Sequence, residues 1–370
     1  VKSAQPTPLE AKLLVQLKRH GPMTFAEFMR AALYDPELGY YNTERLKIGP
    51  SGDYYTSSNS HPLFAALLAS AFSEMLAKLD HFNLVEMGAG TGHLARQILQ
   101  AMARERRDIF SRLSYFLIET SPTMVRIERS LLEQFRGRVA WRQLSDFDPK
   151  FSGEPIEGVF FSNELVDAMP VHRVRIARGR LQELYIDIAG DRLIMTWGEP
   201  STKELAEYLR KVRAHPVEGQ ILEINLEAID WLAALGRSIK RGFLVTIDYG
   251  DLTAQLYGPD RRAGTLRSFY RHQITDSPLE RIGEQDITAS VNFTALIEYG
   301  RDFGFEAVSF EPLYSFLARM GLAERIAALD SLAKNSIGDI KDRLALKSLF
   351  VPGGITHNFR VLIQRRGENY

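Results

Sequence analysis

The stretch 84-LVEMGAGTGHLARQIL-99 decides how this chain is read. An apolar run carrying Glu86 ends in three glycines, Gly88, Gly90 and Gly92, and a helical pattern starts directly after them. Glycine has no Cβ, so each position lets the backbone turn sharply and lie against a ligand. The start of a helix leaves backbone N–H groups unpaired and favours an anion. A dinucleotide loop spaces its glycines G-x-G-x-x-G. Here the spacing is G-x-G-x-G with a carboxylate ahead of it, which repels a pyrophosphate and suits an ammonium group beside one small carboxylate. S-adenosylmethionine has that form: an amino acid at one end and adenosine at the other.

The next apolar segment, 114-SYFLI-118, ends in Glu119, where a carboxylate accepts both ribose hydroxyls. NAD would use the same acid, so Glu119 separates the two cofactors only weakly. Beyond a third segment, VAWRQ at 139–143, Asp146 in 144-LSDFD-148 is a candidate acceptor for the adenine amino group.

Around this loop, strands and helices alternate. The segments LVEM, SYFLI, VAWRQ and GVFFS (158–162) are separated by helical patterns, among them 122-PTMVRIERSLLEQF-135 with a proline at its start. That rhythm predicts an α/β fold with a mostly parallel sheet covered on both faces. It breaks at 171-VHRVRIARGRLQELYIDIAGDRLIMTW-197, where alternating strands separated by tight turns predict an inserted antiparallel meander. The core resumes with GFLVTIDYG (242–250), FEAVSF and 357-HNFRVLIQ-364. The expected organisation is a helical cap with a lid loop over 1–80, a first core half over 81–170, the meander and two helices over 171–240, and a second core half over 241–370. In the cap, Thr24 and Glu27 have the spacing of a capping box. The polar, tyrosine-rich loop 39–62 is long enough to close over a cofactor, with Asp53, Tyr54 and Thr56 as candidate contacts.

Ligands in such a sheet bind at the carboxyl ends of the strands. The fourth strand ends in 162-SNELVDAMPVHRV-174, which puts Asn163 and Glu164 beside the methyl donor. Amine methylases acting on bases often carry N-P-P-Y or D-P-P-Y there, and this chain does not. If a helix begins at Glu164, Asp167 shares its face, and paired carboxylates suit a guanidinium, a planar fork of donors charged at any ordinary pH. Asp167 reads equally well as an acid favouring a helix start. Asp248 and Tyr249, at the end of the fifth strand, are further candidates for the acceptor pocket and read equally as a turn acid and a packed tyrosine; Glu223 is another candidate, whose first reading is structural.

Composition removes other classes. Lys+Arg and Asp+Glu both number 46, so net charge is zero, which argues against a protein that mainly coats nucleic acid. Without cysteine there are no disulfides, thiolate metal sites or thiol nucleophiles. The histidines form no H-x-x-x-H or H-E-x-x-H, no metal is expected, and no G-x-S-x-G elbow occurs. No apolar run reaches the ~18–20 residues of a membrane span, and the start, 1-VKSAQPTPLEAK-12, has no apolar core of the signal type. Bacterial cytoplasm and mitochondrial matrix fit equally. A homodimer is compatible with the sequence but not indicated by it.

The segments 52-GDYYTSS-58, 85-VEMGAGTG-92, 117-LIETSP-122, 163-NELVDAMPVHR-173, 247-IDYG-250 and 286-DITASVNFTAL-296 together resemble the MidA family of S-adenosylmethionine-dependent methyltransferases. The resemblance runs in order from about residue 20 to 364. It implies a class I methyltransferase fold: Rossmann-like, with a seven-stranded, mostly parallel sheet, an N-terminal helical extension and an inserted meander. It implies cofactor roles for Gly88, Gly90, Gly92 and Glu119, an active-site role for Asn163, Glu164 and Asp167, and a cofactor-proximal place for 52–58. For the mitochondrial member of the family it implies methylation of a protein arginine on a subunit of respiratory complex I. The family's DITAHVDF is DITASVNF here, with Ser290 and Asn292, so the acceptor can differ. The leading expectation is a protein-arginine methyltransferase. The alternatives are a small-molecule methyltransferase, a cofactor-binding assembly factor with little turnover, and, least favoured, a dehydrogenase.

Overall fold

The structure is a computed structural model, and it describes residues 6–43, 62–271, 273–332 and 357–367. The candidate lid residues Asp53, Tyr54 and Thr56 lie outside the described residues. The chain divides into two compact units that interleave along the sequence. The core unit is Tyr55–Leu165, Leu232–Gly250 and Tyr299–Tyr370; the second is Val1–Tyr54, Val166–Trp231 and Asp251–Glu298. The expected contiguous cap, 1–80, is therefore split between them.

In the core unit the strands are β1 (Asn83–Met87), β2 (Ser114–Ile118), β3 (Val139–Arg142), β4 (Ile156–Asn163), β5 (Ile239–Asp251), β6 (Glu306–Pro312) and β7 (Phe359–Arg366). They hydrogen-bond in the order β3-β2-β1-β4-β5-β7-β6. Neighbours from β3 to β5 run parallel, and β7 is antiparallel to both β5 and β6. The order reverses between β1 and β4, where Met87 pairs with Ser162. That reversal opens the crevice in which doubly wound sheets bind ligands.

Alternation sends neighbouring side chains to opposite faces of the sheet. On β4, Phe161 packs against Phe72 of helix α1 (Pro62–Leu76), with ring centroids 4.6 Å apart. Phe160 sits by Phe147 on the other face, and Phe147 also packs against Phe116. Helix α2 (His93–Glu105) adds the buried Leu94, Ala95, Ile98, Leu99 and Met102 to the cluster around α1. Helix α3 (Pro122–Leu131) follows β2, with Ser121 accepting the Met124 N–H as its N-cap. On the Phe147 side, Asp148 is 1% exposed and is held by Arg237 at 2.8 Å.

The second unit holds the predicted meander. Strands His172–Ala177, Arg180–Ala189 and Arg192–Gly198 are joined by turns at Arg178-Gly179 and Gly190-Asp191. Met23–Thr24 and Ile221–Ile224 complete a five-stranded antiparallel sheet. Helix Phe25–Tyr34 starts at the predicted capping box: the Glu27 N–H donates to Thr24 Oγ1 and the Thr24 N–H to Glu27 Oε2. A three-stranded sheet, Gln273–Thr275, Arg267–Tyr270 and Asp286–Thr288, was not expected. Its strands are too short to show a period against flanking loops. Among the described residues no helix is long and apolar enough to cross a membrane, and no cluster of ligands suits a metal.

Candidate cofactor and active site

β1 delivers the chain into the glycine loop inside the core unit. Gly88, Gly90 and Gly92 all take positive φ, at 70°, 58° and 76°, a region that glycine enters at no steric cost. A Cβ at Gly88 would lie 2.7 Å from Leu165 Cδ1. The loop after β1 and the segment after β4 are therefore in contact, and the glycine is what lets them touch. Gly92 is the N-cap of α2, and no side chain caps that helix. Its first amides have the character of an anion seat.

Glu119 stands at the end of β2, half-buried. Its Oε1 accepts the N–H groups of Thr120 and Ser121, each at 2.7 Å. Burial pushes its pKa up, while the amides of Ser121, Thr120 and Gly90 pull the other way. The second-strand acid and the middle glycine thus belong to one arrangement.

Glu86 is 2% exposed, within β1 rather than beyond it. Tyr115 of β2 donates its hydroxyl to Glu86 Oε2 at 2.5 Å. Burial pushes the Glu86 carboxyl up to about 7, against the lowering effect of that hydrogen bond. Asp146 is exposed, and its carboxylate closes a local capping box by accepting the Gln143 N–H at 3.1 Å.

At the acceptor side, Asn163 ends β4 and Glu164 follows it as a bend. No helix begins at Glu164. Glu164 has φ 55°, the left-handed region, and bends and turns rather than a helix follow it. Its N–H instead extends the sheet ladder, donating to Ile247 O of β5 at 3.0 Å. The Asn163 amide donates to Glu164 Oε1 at 3.2 Å. Asn163 Oδ1 is buried and meets no hydrogen-bond partner among the described residues.

The other predicted residues are each described within their own unit. Asp167 lies in the second unit, 5% exposed, on a turn whose backbone oxygen accepts the Ala289 N–H. The helical face it was to share with Glu164 is absent. Asp248 is fully buried and accepts the Tyr249 N–H at 2.9 Å, so it offers no exposed carboxylate to an acceptor. Tyr249 is half-buried, edge-on to Phe359. Glu223, also in the second unit, binds Arg173 Nε at 3.1 Å through one oxygen and the N–H and hydroxyl of Thr265 through the other. Those bonds make it a structural cross-link rather than a pocket wall.

Sequence reasoning missed Glu128. It is 0% exposed on α3, accepts the Trp141 indole N–H at 2.6 Å, and has its Cγ 3.3 Å from where a Cβ on Gly92 would stand. A glutamate within a helical pattern reads as a solvated position, and nothing in the spacing marks this one.

The sequence profile of a family described as S-adenosyl-L-methionine-dependent methyltransferase matches residues 66–310. This chain belongs to that family. A crystal structure from Burkholderia thailandensis, bound to S-adenosyl-homocysteine, superposes with a TM-score of 0.86 at 26% identity, over 99% of this chain and 96% of that one. The protein arginine methyltransferase NDUFAF7 homolog of Drosophila melanogaster is 28% identical over 77% of this chain and 68% of its own length. Mitochondrial protein arginine methyltransferase NDUFAF7 of Mus musculus is 28% identical over 88% and 77%.

The methyltransferase uses S-adenosylmethionine, and its own residues fit that cofactor. The uncapped start of α2 would suit the carboxylate, the glycine loop would admit close backbone approach, and the half-buried Glu119 carboxylate would be available to a ribose. When bound, the cofactor supplies an electrophilic methyl group on sulfur.

Proposed function

We propose that this methyltransferase methylates an arginine side chain of a partner protein, with Asn163 and Glu164 receiving the guanidinium. The observation that carries the reading is Glu164. Its carboxylate stands at the end of β4, one residue before the Leu165 side chain that contacts the glycine loop, and it is held in a left-handed backbone conformation. Strain of this kind persists where the surroundings impose it and tends to gather at functional sites. A carboxylate orients the planar guanidinium by charge-assisted hydrogen bonds and accepts the proton displaced when a nitrogen forms its new bond to carbon.

The names of the relatives support arginine as the acceptor, and the family resemblance points to a subunit of respiratory NADH dehydrogenase as the partner. Mitochondrial matrix or bacterial cytoplasm then follows as the compartment.

The test has two parts. Glu164→Gln is expected to keep S-adenosylmethionine binding by calorimetry and to lose transfer. Mass spectrometry of the proteome with and without the gene is expected to show loss of methylarginine on one or few proteins. Loss confined to small metabolites would replace the arginine reading with a small-molecule acceptor. Unchanged methylation of every class would favour a binding role without turnover.

A further inference from the structure

The charge of the chain is balanced overall but not along its length. Between residues 93 and 142 there are ten arginines, no lysine and five acids, an excess of five positive charges in a chain whose net charge is zero. The segment holds α2, α3 and the edge strand β3, all within the core unit. Its acids leave that excess uncovered at the surface. Glu128 is buried and Glu119 half-buried. The exposed acids are already matched: Glu105 by Arg104 at 3.2 Å and Arg325 at 2.6 Å, Asp108 by Arg106 at 3.6 Å, and Glu133 by Arg136 at 3.2 Å.

Helices α2 and α3 follow successive parallel strands, so right-handed crossovers lay them side by side on one face of the sheet. A groove of about 580 Å³ lies between them, lined by Arg96 of α2 and by Arg126, Ile127, Ser130 and Leu131 of α3. Ile127 and Leu131 are four residues apart on one helix, so they form a single apolar strip. Ile127 is 42% exposed, an apolar contact point in an otherwise cationic surface. The groove thus combines an apolar strip with guanidinium groups from both helices. No residue of the glycine loop lines it, and neither does Glu119.

The chemistry of the groove selects its occupant. The charge calls for an anionic partner. Arginine to the exclusion of lysine suits carboxylates held by bidentate bonds, and protein interfaces are enriched in arginine and depleted in lysine. The apolar strip calls for aliphatic side chains beside those acids, which a phosphate backbone does not carry. The ring next to α3, Trp141, has the Arg129 guanidinium over it at 4.4 Å, so that face is closed to a stacking base. A second copy does not fit either, because a two-fold interface on this face would set arginine against arginine.

We propose that the groove between α2 and α3 docks an acidic, amphipathic segment of a partner protein, its carboxylates on Arg96 and Arg126 and its apolar side chains on Ile127 and Leu131. The surface is independent of which group on the partner accepts the methyl.

The probe is a fluorescein-labelled helical peptide with leucine at i, i+3, i+4 and i+7 and glutamate between. Its controls are the same peptide with glutamine for every glutamate, and a DNA oligonucleotide of equal charge. Anisotropy with the full chain and S-adenosylmethionine is expected to show the acidic peptide bound at least about tenfold more tightly than either control. Arg126→Glu is expected to weaken the acidic peptide at least about tenfold, and to gain affinity for a peptide with lysine in place of glutamate, because an attractive pair becomes a repulsive one. Ile127→Ser is expected to weaken the acidic peptide without changing its salt dependence, since only an apolar contact is lost. Both variants are expected to keep the wild-type Kd for S-adenosylmethionine, which shows that they fold. Tighter binding of the oligonucleotide would make this a nucleic-acid surface and overturn the proposal. Failure of the wild type to bind the acidic peptide, or equal binding by Arg126→Glu, would also overturn it. None of these outcomes touches the arginine acceptor, which Glu164→Gln tests separately.

Discussion

Glu164→Gly and Glu164→Ala remove the same carboxylate and differ only in a Cβ. Residue 164 sits at φ 55°, where an L residue is strained by about 1–2 kcal/mol. Glycine relieves that strain, but its freer unfolded chain returns about 0.4–1 kcal/mol. Both variants lose the 3.2 Å bond from the Asn163 amide and both keep the 164 N–H on Ile247 O, so these terms cancel. The glycine variant is therefore expected to be the more stable by about 0.5–1 kcal/mol. Urea unfolding of the cofactor-free proteins, followed by tryptophan fluorescence, reads that difference as a shift in midpoint at constant slope. Both variants are expected to bind S-adenosylmethionine and to transfer no methyl group. An alanine variant as stable as the glycine variant would mean that residue 164 does not take the left-handed conformation, and the geometry assigned to the acceptor side would fall with it. Full transfer by either variant would remove Glu164 from the chemistry.

Three other outcomes follow from the same geometry. Arg237→Ala leaves Asp148, which is 1% exposed, without its cation; because Arg237 is itself partly exposed, the expected loss is about 2 kcal/mol, between surface and buried pairs, and an unchanged urea midpoint would contradict it. Glu86 is raised in the folded state from 4.5 to about 7, so its contribution to stability is fully present below pH 4.5 and is lost as pH rises through 7. Glu86→Gln removes that loss, and its advantage over wild type is expected to grow by up to about 3 kcal/mol from pH 4.5 to 8; a gap that stays constant with pH would refute the assignment. Gly88→Ala forces a Cβ to 2.7 Å from Leu165 at φ 70°, and cofactor Kd measured by calorimetry is expected to rise at least about tenfold, the equivalent of 1.4 kcal/mol of loop strain.

The parts of the site legible in the sequence are those set by local backbone demands. Gly88, Gly90 and Gly92 announce positive φ because few other residues tolerate it, and all three have it. The Thr24–Glu27 capping box and the meander turns are short-range patterns, and both form. Whether a helix begins at Glu164 was open in the sequence; none does, and its N–H bonds instead to Ile247 O, 83 positions along the chain (247 minus 164). No local propensity reports a bond of that range. Asp248 stands near a strand end, where a pocket carboxylate is expected, and it is buried; Glu223 is bound to Arg173 and Thr265, in keeping with the structural alternative.

By itself the sequence determined the strand–helix rhythm, the glycine loop, the acid after the second strand and, through these, the cofactor. Each is a matter of period, turn geometry or charge within a few residues. The tertiary structure alone decided which acids are exposed and which are buried, that Leu165 touches the glycine loop, and that Glu128 lies beneath Gly92. Those facts depend on where distant segments pack. Burial sets the ionisation of Glu86 and Glu128, because the energy of a carboxylate depends on the water removed around it rather than on its neighbours in the chain.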